Sequence, residues 1–152
     1  TQGVSSAASD VYKRQSYIDA EVKDLPLRVG SPLPPRDVVP TYTPEMQATA
    51  LARYAWSAMG GTLAVQGDIS YSDDYYYNLR NFDADKFDSY VMVNAMLSWQ
   101  STDEKLSASL AIRNLTDERA GIQGFDLATL CGCNEVSYRA PRYYSVSVKR
   151  EF

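Results

Sequence analysis

Residues 140 to 152, Ala140-Pro141-Arg142-Tyr143-Tyr144-Ser145-Val146-Ser147-Val148-Lys149-Arg150-Glu151-Phe152, decide the fold. Counted back in twos, Phe152, Val148, Val146 and Tyr144 share one face, while Glu151, Lys149, Ser147, Ser145 and Tyr143 share the other, which is the period of a β-strand. One face is apolar and the other polar. A soluble protein can seat such a strand on a core, but here aromatics stand at both ends, Tyr143 and Tyr144 at one and Phe152 at the other. Aromatics at both interfaces with apolar residues between them is the layout of a strand that crosses a bilayer.

Working outward, the same alternation recurs. Leu106, Ala108, Leu110 and Ile112 alternate with Lys105, Ser107, Ser109, Ala111 and Arg113. From 87 to 100, Phe87, Val91, Val93, Ala95, Leu97 and Trp99 face one way, and Asp88, Tyr90, Asn94, Ser98 and Gln100 the other. From 62 to 71, Leu63, Val65, Ile69 and Tyr71 oppose Thr62, Ala64, Gln66, Asp68 and Ser70. From 46 to 57, Ala48, Ala50, Ala52, Tyr54 and Trp56 oppose Thr49, Leu51, Arg53 and Ala55, although an Ala-rich stretch also suits a helix. From 16 to 23, Ile18, Ala20 and Val22 oppose Tyr17, Asp19 and Glu21. Tyr54, Trp56, Tyr71, Phe87, Trp99 and Tyr143 are the expected aromatic belt.

The connections have a rhythm. Residues 58–61, with Gly60 and Gly61, and 101–104 are short turns. Between them fall three long connections: 24–44, with six of the seven prolines, 72–86, and 115–139. The pattern predicts an all-β, antiparallel up-and-down meander of about six long strands with its long loops at one end, as in transmembrane barrels. A soluble meander has no reason to keep that asymmetry.

Composition leaves the class open, since 45% hydrophobic and 22% charged residues also suit a soluble domain. No apolar run reaches the length of about 18 residues that a transmembrane helix needs, and a barrel leaves no such run. The net charge of -4 argues against a nucleic-acid partner. Without a single His, Ser-His and Cys-His catalysis and the commonest zinc ligand are gone. Asp83, Asp85 and Asp88 lack calcium-loop spacing and read as a solvated acidic loop. Tyr75 to Tyr77 with Asp73 and Asp74 lie where a ligand vestibule would be, though a belt with solvated charge explains them too. Asp68, Arg53, Asn94 and Arg113 face the interior, where hydration or contact with a plug would occupy them. Cys131 and Cys133 suit a disulfide clip in the last long loop. No catalytic residue, cofactor or metal is expected. Ser5 to Gln15 (SSAASDVYKRQ) reads as the translation of a sequencing-library adapter, so residues 1–15 are expected to be a foreign, disordered stretch and 16–152 the barrel portion.

The terminal stretch, with Asn114-Leu115-Thr116-Asp117-Glu118 and Ala140-Pro141-Arg142-Tyr143-Tyr144, resembles the C-terminus of TonB-dependent outer-membrane receptors. Arg150 stands where the family more often has an aromatic, and its long stem can snorkel at a membrane edge. The resemblance implies the C-terminal part of a barrel of about 22 strands around a plug, with the plug outside this chain. It implies an assembly signal in Tyr144, Val146, Val148 and Phe152, read by the outer-membrane barrel assembly machinery. The implied partners are outer-membrane lipid, the TonB-ExbB-ExbD complex acting through an N-terminal part, and a scarce nutrient. A ferric siderophore is the foremost cargo, with cobalamin or a glycan as others. A passive porin, or a barrel enzyme such as an outer-membrane phospholipase, are the alternative readings.

Overall fold

The computed structural model describes residues 8–26 and 34–151. Its strands are β1 (Ala8–Tyr17), β2 (Val22–Leu25), β3 (Arg36–Val38), β4 (Met46–Ala58), β5 (Gly61–Ser72), β6 (Tyr75–Tyr76), β7 (Lys86–Phe87), β8 (Tyr90–Ser101), β9 (Leu106–Arg113), β10 (Gly121–Leu127), β11 (Cys133–Tyr138) and β12 (Tyr143–Arg150). One four-residue helix, α1 (Ala128–Cys131), and a 3-10 turn at Asp83–Asp85 complete the described elements. No helix among the described residues is long and apolar enough to cross a membrane, a fact that bears on helices alone.

Six strands form one antiparallel sheet in the order β1-β4-β5-β8-β9-β12. Alternation fixes its register, because a slip of one residue would send every apolar side chain to the other face. The cross-strand rows show the result. On the outer face Tyr54, Val65, Leu97, Leu110 and Val146 stand side by side, followed by Trp56, Leu63, Trp99, Ala108 and Val148. On the inner face the matching rows are Arg53, Gln66, Met96, Ala111, Ser145 and Ala55, Ala64, Ser98, Ser109, Ser147. The outer rows stay open, with Val146 at 75% and Val148 at 68% exposure.

Two short turns close one end of the sheet. Met59 and Gly60 both take positive φ, 54° and 70°, between the paired Ala58 and Gly61, which is the geometry of a primed hairpin turn. A Cβ on Gly61 would collide with the backbone of Gln100, so glycine there lets β8 approach β5. At the second turn the Asp103 carboxylate accepts from Ser101 Oγ (2.5 Å) and Lys105 N (3.1 Å), and these bonds hold its pKa below the usual value. The three long connections leave from the opposite end.

Three expectations change. Residues 8–15, expected to be disordered, form most of β1 and pair in register along β4, because the β4 edge offers a full row of backbone partners. The strand expected over 16–23 divides: Tyr17 ends β1, Ile18 keeps one bond from its N–H to Glu45 O (2.9 Å), and Val22 belongs to a small hairpin with β3. Alternation alone does not say which sheet a strand joins; within the hairpin Asp24, with φ 53° and its N–H on Asp37 Oδ1 (2.9 Å), sits at the irregularity between the pairs Val22–Val38 and Leu25–Arg36. Phe87 belongs to β7 and is buried, so it is no part of an aromatic belt. Asp88 and Ser89 interrupt the run between Phe87 and β8.

Candidate functional site

The three long connections do not hang free; each folds into a hairpin and the hairpins pack together into a cap at one end of the sheet. Its core is Tyr75, Tyr77 and Phe87, with Tyr90 and Val136 against it. Tyr75 meets Phe87 edge-on at 5.4 Å and Tyr77 lies 4.9 Å from the same ring, distances at which aromatic quadrupoles attract. β10 can lie on these rings because it has glycine at two contact points: a Cβ on Gly121 would come within 2.6 Å of Phe87, and one on Gly124 within 2.6 Å of Tyr77. The phenols then find partners, Tyr75 donating to Gly121 O (3.2 Å) and Tyr77 to Ala84 O (2.7 Å). Asn134 donates to Tyr77 Oη (2.8 Å) and Ala84 O (2.9 Å), joining β11 to the second connection. Burial pushes the pKa of both tyrosines up, with Tyr90 next for Tyr75 and the Asp85 carboxylate next for Tyr77.

The first connection joins through Asn81. Its side chain accepts from Val39 N (2.6 Å) and donates to Val39 O (3.1 Å), and its φ of 47° is one that Asn tolerates. Tyr42 N donates to Tyr76 O (2.8 Å), and Gly124 N donates to Tyr42 Oη (3.4 Å). Charge ties the rim: Arg80 pairs with the covered Asp126, and Lys86 with Asp74 at 2.5 Å. The bond to Asp74 raises the Lys86 pKa. Tyr75 and Tyr77 are thus cap core rather than an exposed vestibule wall. Asp85 is 1% exposed, while Asp83 and Asp88 are exposed; no group of three acidic or thiol ligands able to hold a metal exists among the described residues.

Below the cap, Asn114-Leu115-Thr116-Asp117-Glu118 pins the two ends of the third connection. Asn114, 2% exposed with φ 54°, donates its amide N–H to Asn94 Oδ1 (2.9 Å) and its Nδ2 to Glu118 O (2.9 Å) and Ala140 O (3.1 Å). Its Oδ1 accepts from Glu118 N (2.8 Å), and Asp117 Oδ1 accepts from Arg142 N (2.8 Å). The chain leaving β9 and the chain starting β12 are therefore held at a fixed spacing. The sequence pattern marked this motif by resemblance alone; its hydrogen bonds show what it does.

The inner face brings three of the four expected interior residues together. Asn94 donates to Asp68 Oδ2 (2.6 Å) and Arg113 lies 3.8 Å from Asp68 Oδ1, while Arg53 sits apart, lining a cleft with Thr62 and Ser98. Beneath the cap a cleft of about 490 Å³ is lined by Met92, Asn94, Arg113, Arg139 and Tyr143. Tyr143, paired with Arg113, points to this inner face and not to an outer belt. On the outer face Tyr54 stacks near Trp56 (5.4 Å) toward the short-turn end, where Trp99 also lies, and Tyr71 stands toward the cap. Eight residues separate Leu63, beside Trp56, from Tyr71, about 26 Å along the strand at about 3.3 Å per residue. Tyr144, Val146 and Val148 pair with Ile112, Leu110 and Ala108, and Phe152 lies outside the described residues. Cys131 and Cys133 are joined in a disulfide at the tip of the β10–β11 hairpin. Closing so short a loop removes only about 1.6 kcal/mol of unfolded-chain entropy, against about 3 for a 15-residue loop. Gly121, Gly124, Asn81 and Asn134 escaped the sequence reading, because their partners Phe87, Tyr77, Val39 and Ala84 lie far from them along the chain.

An antiparallel sheet with an apolar outer face, a polar inner face, short turns at one end and a folded cap at the other is the wall of an outer-membrane β-barrel. Residues 3–115 match the family described as TonB dependent receptor-like, beta-barrel, and the chain belongs to that family. Its members are outer-membrane transport receptors of Gram-negative bacteria and not enzymes. No curated protein and no solved structure matches the chain.

Proposed function

We propose that the chain forms part of the wall and cap of an energised importer of a scarce nutrient, with a ferric siderophore as the foremost cargo. The observation that carries this reading is the cap itself: three connections packed on a shared aromatic core above an inner-face cleft that holds Asn94, Arg113 and Arg139. A passive pore is better served by an open mouth. Six strands are too few to enclose a plugged lumen, so the wall belongs to a larger barrel of about 22 strands. The TonB-ExbB-ExbD complex would act on a plug within that barrel. Deleting the receptor's gene should abolish energy-dependent uptake of radiolabelled ferric siderophore and slow growth under iron limitation. Unchanged uptake and growth would remove iron as the cargo, and cobalamin and glycans are the next to assay.

We further propose that β12 and Phe152 form the assembly signal read by the barrel assembly machinery. Unsatisfied backbone groups in hydrocarbon cost several kcal/mol each, so the last strand must pair in register. Deleting Phe152 from the receptor should lower the heat-modifiable, folded fraction in the outer membrane; a wild-type fraction refutes the assignment.

We propose that residues 1–15 derive from adapter sequence; the pairing of residues 8–15 along β4 and a family match that starts at residue 3 stand against this, and what supports it is the polarity of β1. Its register sets Lys13 beside Ala50 and Gln15 beside Ala48, on the outer face that every other strand keeps apolar through its middle. A lysine near the bilayer midplane costs about 2–4 kcal/mol. The β4 edge suits a different neighbour. Genomic sequencing of this locus by an adapter-free method should find other codons in place of 5–15, and recovery of the same codons would overturn the assignment.

A further inference from the structure

The disulfide between Cys131 and Cys133 does little for the fold that holds it. It closes one turn, and the strands on either side of that turn are already paired through Leu127 and Cys133. The hairpin is docked elsewhere, by Gly124 on the Tyr77 ring and by Asn134 on Tyr77 and Ala84. Both cysteines are exposed, and neighbouring Leu130 is 82% exposed. Gly132 between them takes φ 68°, and nothing lies within 4 Å of where its Cβ would be. Both sulfurs belong to exposed residues at a hairpin tip, where a small soluble thiolate can reach them. Exposed disulfides that stabilise little are the ones that exchange, whereas structural ones are buried and resist reduction.

We propose that Cys131–Cys133 is an exchangeable two-electron site, reduced by small soluble thiols while the cap stays folded. The thiolate of a small dithiol attacks one Sγ, the Cys–Cys bond breaks, and the other Sγ leaves as a thiolate and takes a proton. The second thiol of the reagent then displaces the first protein sulfur from the mixed disulfide. Two protein thiols and one reagent disulfide result, so electrons and protons balance. A small-molecule disulfide reverses the reaction. The site thus lets the tip of the third connection report the thiol poise of the medium bathing it.

The inference uses exposure and docking alone and does not depend on the transport reading. It is tested on the receptor that contains this sheet, folded in detergent, by timed reduction with dithiothreitol, acid quench and maleimide mass labelling. A C131S/C133S receptor supplies the background from any other cysteine. Two labels per chain should appear at a rate within about tenfold of that for the denatured receptor, because exposure and not unfolding controls access. A larger gap overturns the proposal. Limited proteolysis of the reduced receptor is the second readout: unchanged protection of residues 121–138 is expected, and loss of protection makes the bond a structural clip and overturns the proposal equally. Neither result bears on which nutrient the receptor carries.

Discussion

The sheet and the cap of this protein are held together in opposite ways. In the sheet, long strands satisfy each other's backbone groups in ladders, and the apolar side chains point away from the protein. In the cap, strands are short and stability comes from side chains gathered inward, with Phe87, Tyr75 and Tyr77 buried and Asn81 and Asn134 bonded across connections. The solvent explains the difference. Lipid accepts an apolar face at no cost but tolerates no open backbone, whereas water demands that the aromatic surface be covered. One chain therefore carries an inside-out region beside an ordinary small core.

The largest expected effect breaks the sheet's side of this contrast. Val146→Lys puts a charge in the middle of the outer face, beside Leu110, and should cost about 2–4 kcal/mol, whereas Ser147→Lys on the inner face should cost little. Folded fraction by heat-modifiable mobility measures both, and equal losses would show that the two faces are not lipid and lumen. Next is the joint between the regions. Asn114→Ala removes the partner of Glu118 N and Ala140 O in a part-buried site, at about 1–3 kcal/mol in all. Urea unfolding in detergent should show a lower midpoint, and an unchanged midpoint would mean that water replaces the side chain. The cap's own test is Gly124→Val, whose added carbons overlap the Tyr77 ring and should cost about 1–3 kcal/mol. Proteolysis should then cut residues 121–138 while the barrel stays folded; joint loss of both would show that they fold as one unit.

The smallest effect is that of alkali on the cap. Tyr75, Tyr77 and Lys86 all have raised pKa values in the folded chain, by burial for the tyrosines and by Asp74 for the lysine. A raised folded pKa means that the folded state holds its proton longer, so the stabilisation is complete below the unfolded pKa of about 10 and is lost as pH rises through the folded value. Tyrosinate absorbance should therefore rise late for the buried phenols, together with new cleavage in the cap above about pH 10. Because Lys86 and Asp74 are well exposed, salt should screen their share.

Much of the sheet was legible because its code is local. Four of the six strand segments, from Met46 to Ser57, Thr62 to Tyr71, Lys105 to Arg113 and the terminal stretch, lie within a few residues of β4, β5, β9 and β12. The reading went wrong where local pattern meets a break. Phe87 continues the period of Val91 and Val93, yet Asp88 and Ser89 let the chain turn and send the ring into the cap. Ile18 to Val22 alternates well and still leaves the sheet, because pairing with β3 is a fact about a partner 16 residues on and not about the segment itself. The cap's short strands carry too few residues to show a period, so the sequence marks their stretches only as long connections.

The sequence by itself determined the period, the two faces, the order of long and short connections and the resemblance of residues 114–118 and 140–152 to a receptor barrel. Each of these depends on residues within a few positions of one another. Only the tertiary structure decided that Gly121 and Gly124 lie under Phe87 and Tyr77, that Asn81 and Asn134 lock three connections into one cap, and that Asn114 spaces β9 from β12. Those contacts join residues 26 to 57 positions apart, as from Asn114 to Ala140 or Tyr77 to Asn134, and depend on ring, amide and backbone meeting in space. No window of the chain holds both partners, so no periodicity announces them.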